Sequence, residues 1–325
     1  MKPEDFKVGI IGLGPVGLIL AVHFKQAGCE VAVCDVDKRK LNLIKEEGIE
    51  LVGAITKTAY LKHIYSSIPE LMEHKFDLLI SSVKAYHVDS VLNQIDATNH
   101  NGLKLLIAQN GIDIRIKYQS HFDDSRIFRM IVNFAGNLNA PNVVNVTFFN
   151  PPNYVGSIDD SQTELANLIA DILTSQDLQT TSVDSFKVVE QAWIKTILNA
   201  ALSPLCAISA HTMKEAMANP DTLEIVEQII AEAMEVAKAE DIVFEQNFIK
   251  LCIRYLKKAG NHFPSLAVDL INKRETEIDY MNGKFVDYGR KHYIKTPINL
   301  VFTNLVKAIT QKNYIESHAK DAFLD

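Results

Sequence analysis

The chain is poor in cysteine, has no long basic run, and has no apolar segment of membrane length. Its four cysteines, Cys29, Cys34, Cys206 and Cys252, form no CxxC pair among 325 residues. That spacing suggests neither a zinc site nor a disulfide framework, so no metal is expected, and the thiols read as small buried apolar groups in a reducing compartment. The net charge of -7 argues against nucleic acid or an anionic membrane surface as a general partner. The uncharged stretch Val8 to Val22 is fifteen residues long and carries glycines and a proline, whereas a membrane helix needs about 20 apolar residues. The preceding MKPEDFK mixes both signs and no small-x-small site follows, so the stretch is not expected to be a signal peptide. No other segment approaches membrane length on this reading, and a cytoplasmic location is expected. What is present is ordinary for a globular protein: 47% apolar and 22% charged residues, in a length that suits two domains.

The uncharged stretch has a different explanation. FKVGII reads as a short buried strand. GLGPVG follows, with Gly12, Gly14 and Gly17 in the spacing G-x-G-x-x-G. LILAVHFKQAG then has helical length and stops at Gly28, and EVAVCD is a second strand ending at Asp35. Strand, glycine turn, helix and strand in this order form a dinucleotide-binding fingerprint. Gly12 allows the tight turn, Gly14 lets the backbone approach a pyrophosphate, and Gly17 lets the helix pack close; helix N–H groups then face the phosphates. Asp35, 18 positions after Gly17, can hydrogen-bond a ribose and repels a 2′-phosphate, which favours NADH. Lys38, Arg39 and Lys40 follow and suit a 2′-phosphate, or are a solvated helix start.

The same logic extends along the first half. FDLLISSV gives a strand over 76–83, with Lys84 at its carboxyl end, and GLKLLIAQNGID gives another ending at Asn110-Gly111. Ligands gather at the carboxyl ends of such strands, although Asn-Gly is also a plain turn signal. From Ile127 a β-rich stretch broken by Gly, Pro and Asn is expected to finish the sheet, and SQTELANLIADILTSQ is the closing helix. After about residue 185 the strand signals nearly vanish. The fold class expected is α/β: a Rossmann-type doubly wound domain over 1–184 and an all-α domain over 185–325. On the first helix of the second half, Lys195, Asn199 and Ser203 share one face at four-residue spacing, and Pro204 should kink that helix. The bland alternatives are a lysine reaching solvent and an asparagine bonded to backbone. PSLAVDLINKRETEIDYMNG is charged as a solvated helix face would be.

Together GLGPVG, SSVKAYHV, IAQNG, WIKTILNAALSPL and PSLAVDLINKRETEIDYMNG resemble the ketopantoate reductase (2-dehydropantoate 2-reductase) family, in order and over nearly the whole chain. The resemblance implies hydride transfer from NADPH or NADH to the ketone of ketopantoate, giving pantoate for pantothenate and coenzyme A synthesis. It implies Lys195 as proton donor and Glu277 as its supporting carboxylate. It implies substrate contacts at Asn110, Asn199, Ser203 and Ser265. It implies cofactor contacts at Gly12, Leu13, Gly14, Pro15, Val16, Gly17, Asp35, Lys84, Asn110, Ala135 and Glu277. Ser203 stands where the family usually has a second asparagine, a further asparagine is missing near Thr212 or Met213, NKRETE lacks the family's glycine before the arginine, and Asp35 departs from a mostly NADPH-using family.

In one straight helix Ser265 and Glu277 would lie about 18 Å apart, so a break is expected between Asn272 and Thr276, with Thr276 capping a new helix and Asp279 returning the bond. Open alternatives are a reductase of another 2-keto acid, an opine-type dehydrogenase, and a non-catalytic NAD(P)-binding sensor. Helical second domains of this kind often pair, which leaves a homodimer open.

Overall fold

The computed structural model describes residues 2–95 and 102–321. Contacts divide the chain into two units, Met1–Gln109 with Asp113–Gln191 and Asn110–Ile112 with Ala192–Asp325. Among the described residues the strands are β1 (Lys7–Ile11), β2 (Glu30–Cys34), β3 (Ile49–Gly53), β4 (Lys57–Ala59), β5 (His63–Tyr65), β6 (Leu78–Ser81), β7 (Lys104–Ile107), β8 (Ile127–Ile131), β9 (Phe134–Ala140), β10 (Val143–Phe149), β11 (Asn153–Ser157) and β12 (Thr180–Ser182). The helices are α1 (Pro15–Gln26), α2 (Lys38–Glu47), α3 (Ile68–Met72), α4 (Val88–Leu92), α5 (Ile114–Tyr118), α6 (Thr163–Thr174), α7 (Ser185–Ser209), α8 (Met213–Ala218), α9 (Pro220–Ala239), α10 (Phe248–Leu256), α11 (Ser265–Ile271), α12 (Asn282–Lys291) and α13 (Pro297–Asp321).

The first unit holds an eight-stranded sheet of order β12-β11-β8-β7-β6-β1-β2-β5. The run from β8 to β5 is parallel throughout. Counted in chain order, these parallel strands read 3-2-1-4-5-6, the dinucleotide-binding order, whose switch point lies between β1 and β6. The β-rich stretch from Ile127 does more than finish this sheet. β8 and β11 join it, but β9 and β10 form a hairpin in a second sheet of order β4-β3-β10-β9. The reason is apolar coverage: α1 is buried from Gly17 to Phe24, and a helix apolar all round needs a partner on every side. Phe134, Val144 and Val146 belong to the same buried core as Leu18 to Val22.

The second unit is helical among its described residues. Helix α7, which lies in this unit from Ala192 on, corrects the expectation that no segment approaches membrane length. Ser185–Ser209 is long and apolar enough to cross a membrane by length and composition, but 61% of its apolar window is buried inside the protein. Trp193 on α7 meets Phe285 and Tyr288 of α12, with ring centroids 5.9 and 5.6 Å apart.

Inside α1 lies a titratable group. His23 is 0% exposed, and its Nδ1 lies 2.6 Å from the Ile19 carbonyl oxygen. Burial pushes its pKa down from 6.5 to about 4, and the Ile19 hydrogen bond only partly opposes this. The unfolded chain therefore binds a proton that the folded chain refuses between those values. Stability should be full above pH 6.5 and fall as pH drops to 4, by about 3 kcal/mol from this residue. Denaturant unfolding of the wild type and His23→Leu across that range should show the slope flattened in the variant.

Candidate active site

The turn after β1 is built by close approach. Gly12 has φ +90°, and a Cβ there would lie 2.8 Å from the Val83 nitrogen, in the loop after β6. A Cβ on Gly17 would lie 2.0 Å from the Gly12 carbonyl oxygen. Ser82 holds that same oxygen with its hydroxyl at 2.7 Å. Gly14 is different: a Cβ there would meet nothing within 4 Å. The protein itself gives no packing reason for this glycine, and the space it leaves open is where a pyrophosphate would approach. Helix α1 has no side-chain cap and no acidic residue in its first turn, so its N-terminus suits an anion. These residues fit a dinucleotide.

Leu13 turns its side chain into the core, 0% exposed, and gives its N–H to Asp35 Oδ2 at 2.7 Å. Asp35 Oδ1 accepts the Asp37 N–H at 2.9 Å. Lys40 Nζ lies 3.3 Å from Asp35 Oδ2, so Lys40 is engaged, while Lys38 and Arg39 are exposed. Pro15 and Val16 are half-buried at the start of α1. Lys84 is half-buried just before a short 3-10 turn, Ala85–His87, beyond β6. Ala135 lies on β9 in the second sheet, and its carbonyl accepts the Thr147 hydroxyl at 3.3 Å.

The second unit holds the other group. Lys195, Asn199 and Ser203 follow one another at four-residue steps along α7. Lys195 and Asn199 are half-buried, and Ser203 is buried. Asn110 belongs to this unit, and two residues on, the Ile112 N–H donates to the Tyr280 carbonyl at 3.3 Å. That bond ties the Asn110–Ile112 strip to the 3-10 turn Ile278–Tyr280, which follows Glu277 directly. Glu277 is 4% exposed, which makes it a buried carboxylate. Ser265 is the exposed first residue of α11.

Helix α11 stops at Ile271 and the chain resumes as the 3-10 turn at Ile278. The break between Ser265 and Glu277 is therefore present. Thr276 does not cap the new turn: Glu277 is its N-cap residue, with no side-chain cap bond. Instead, Lys273 at φ +57° ends the helix. The Arg274 N–H returns to Asp269 O at 2.9 Å and the Lys273 N–H to Leu270 O at 3.1 Å, the paired bonds of a glycine-type helix stop. The Arg274 guanidinium also holds the buried Asp269 carboxylate at 2.9 Å. The left-handed position is the one where NKRETE carries lysine in place of glycine.

Sequence reading missed several groups. Ser82 was visible only as one of two serines before Lys84. Asn261, from the loop before α11, accepts the Thr212 hydroxyl at 2.8 Å and so puts an asparagine beside Thr212. A buried triad joins Gln109, Ser81 and Tyr118 at 2.6–2.9 Å.

Comparison with known proteins covers both units. The profile described as ketopantoate reductase PanE/ApbA matches residues 8–160, and the one described as ketopantoate reductase PanE/ApbA C terminal matches 187–310. The chain belongs to the ketopantoate reductase family. Members of this family are nicotinamide-dependent oxidoreductases acting on a keto acid, and so is this chain. The 2-dehydropantoate 2-reductase of Streptococcus pyogenes serotype M1 is 28% identical over 320 residues, 98% of this chain and 99% of the relative. Two solved structures share the fold: D-mandelate dehydrogenase with NADH and anilino(oxo)acetate (TM-score 0.84, 24% identity, 95% of this chain and 99% of that one), and a ketopantoate reductase from Ralstonia eutropha JMP134 (TM-score 0.84, 22% identity, 95% and 100%).

Two substitutions separate packing glycines from the open one. Gly14→Ala should keep the unfolding midpoint and weaken binding of the reduced nicotinamide dinucleotide by about tenfold, ~1.4 kcal/mol, in a fluorescence titration. Gly17→Ala should destabilise the fold by about 1–3 kcal/mol. Lys273→Gly relieves a left-handed side chain and should raise stability by about 0.5–1 kcal/mol in denaturant unfolding.

Proposed function

We propose that the chain is a cytoplasmic 2-dehydropantoate 2-reductase that uses NADH in preference to NADPH. What carries the reading is the match of both units to the two halves of one reductase family, with Lys195, Asn199 and Glu277 in the matched blocks. The dinucleotide would lie over Gly14 with its pyrophosphate at the N-terminus of α1, and when bound it supplies a hydride to the ketone carbon. As that carbon becomes tetrahedral, negative charge builds on the ketone oxygen. The Lys195 ammonium stabilises this charge and gives its proton to the oxygen, leaving a neutral amine and a 2-hydroxy acid. The buried Glu277 carboxylate supports and orients the Lys195 ammonium for the transfer. Asn199, Ser203, Ser265 and Asn110 orient the 2-keto acid without adding charge.

The cofactor preference follows from the end of β2. The Asp35 carboxylate supports it, because a negative charge at the end of this strand repels a 2′-phosphate, and Lys40 is engaged with that carboxylate at 3.3 Å. A second reading, reduction of another 2-keto acid, is favoured by Ser203, whose hydroxyl is shorter in reach than the amide usual at that position.

Steady-state oxidation of NADH and NADPH with ketopantoate tests the substrate, the cofactor preference and the role of Lys195. Turnover with NADH at the higher kcat/KM is expected, and Lys195→Ala should lower kcat by about 10²- to 10⁴-fold. No turnover on ketopantoate beside clear turnover on another 2-keto acid would select the second reading.

A further inference from the structure

Helix α7 runs on through Pro204. Proline has no N–H, so the carbonyl four residues earlier, that of Ala200, has no donor inside the helix. Ala200 is 0% exposed, so water does not serve it, and a buried carbonyl needs a partner. Asn282, the first residue of α12, supplies one: its Nδ2 donates to Ala200 O at 3.0 Å. The same nitrogen donates to Asn299 Oδ1 at 3.0 Å. Asn299 Nδ2 in turn donates to Glu232 Oε2 at 2.7 Å. The Glu232 carboxylate also accepts the N–H groups of Ile298 and Asn299 at 2.9 and 3.0 Å, at the start of α13. One relay thus runs from α9 through α13 and α12 into α7.

The amide orientation is dictated, because both groups facing the Asn282 nitrogen are acceptors. Asn282 Oδ1 is buried with no partner among the described residues. A side chain kept for packing alone would avoid that orphan, so the residue is present for its nitrogen. The position of the bond gives it a function. Ala200 directly follows Asn199, lies five residues after Lys195, and precedes Ser203 and Pro204. Alanine at 204 would close the ladder from within the helix. Proline makes the course of α7 at its polar stripe depend on a side chain from another helix.

We propose that Asn282 is a positioning residue for the reaction. By donating into the gap that Pro204 opens, it sets the direction of α7 and with it the placement of Lys195 and Asn199. This rests on the reading of Lys195 and Asn199 as groups that face the substrate.

The test uses the full chain and two variants, Asn282→Ala and the double variant Pro204→Ala/Asn282→Ala, in which Ala200 regains a backbone donor and the fold is safeguarded. Asn282→Ala should lower kcat for 2-keto acid reduction by about 10- to 100-fold, the scale of a displacement near 1 Å, while NADH affinity stays unchanged. Amide exchange over residues 200–209 should quicken. The double variant should recover thermal stability and slow exchange but not kcat, because the helix now follows its own ladder. A double variant that regains kcat together with stability overturns the proposal, as does a folded Asn282→Ala protein with wild-type kcat. Wild-type protein with no turnover on any 2-keto acid overturns the functional reading, and the positioning role with it; active wild-type protein with unaffected variants overturns the positioning role alone.

Discussion

Helix α1 lies so close to the turn before it that a Cβ on Gly17 would sit 2.0 Å from the Gly12 oxygen. Most of the first unit is arranged around that contact. It lets a helix buried from Gly17 to Phe24 fill the space between the parallel sheet and the smaller sheet, and its apolar area is the main source of cohesion there. It also places Gly12 against Val83, so the loops after β1 and β6 meet at the switch point of the sheet. Asp35 and Ser82 then hold the turn by its own N–H and C=O groups. With the turn braced by protein on these sides, the open side at Gly14 is left for a ligand.

The second unit is held differently. Its helices bury apolar faces in the usual way, but α7 contains a proline and a buried asparagine network spans four helices. Such networks are demanding, since each unmet group costs free energy. Glu232, Asn299 and Asn282 meet nearly all of theirs, and the unmet one, Asn282 Oδ1, sits beside the helix with the polar stripe. Direction and placement, more than stability, are what this network supplies. The helix stop at Lys273 has the same character. A left-handed lysine is conformationally costly, yet it turns the chain so that Glu277 is buried twelve residues after an exposed Ser265.

Much of the architecture was legible. The glycine spacing after FKVGII, the apolar strand runs EVAVC and KLLI, which end at Cys34 and at Ile107 (three residues short of Asn110), and the helical periodicity after residue 185 are local signals, and local geometry answers to them. The break between Ser265 and Glu277 was also legible, because distance along a helix is fixed by its rise per residue. The partner that ends the helix was not. Thr276 has the right chemistry for a cap, but the stop uses backbone bonds to Asp269 and Leu270; the glycine that the resemblance expects before Arg274 was the signal for a left-handed residue, and the lysine in its place hid it.

The sequence by itself determined the order of elements, the dinucleotide turn and the helix that carries Lys195, Asn199 and Ser203. These follow from steric rules and periodicity acting over a few residues. Only the tertiary structure decided that β9 and β10 leave the main sheet to cover α1, that Lys40 is spent on Asp35, and that the carbonyl orphaned by Pro204 is met by Asn282. Each of those pairs residues brought together by packing, where burial removes the water that would otherwise have served their polar groups.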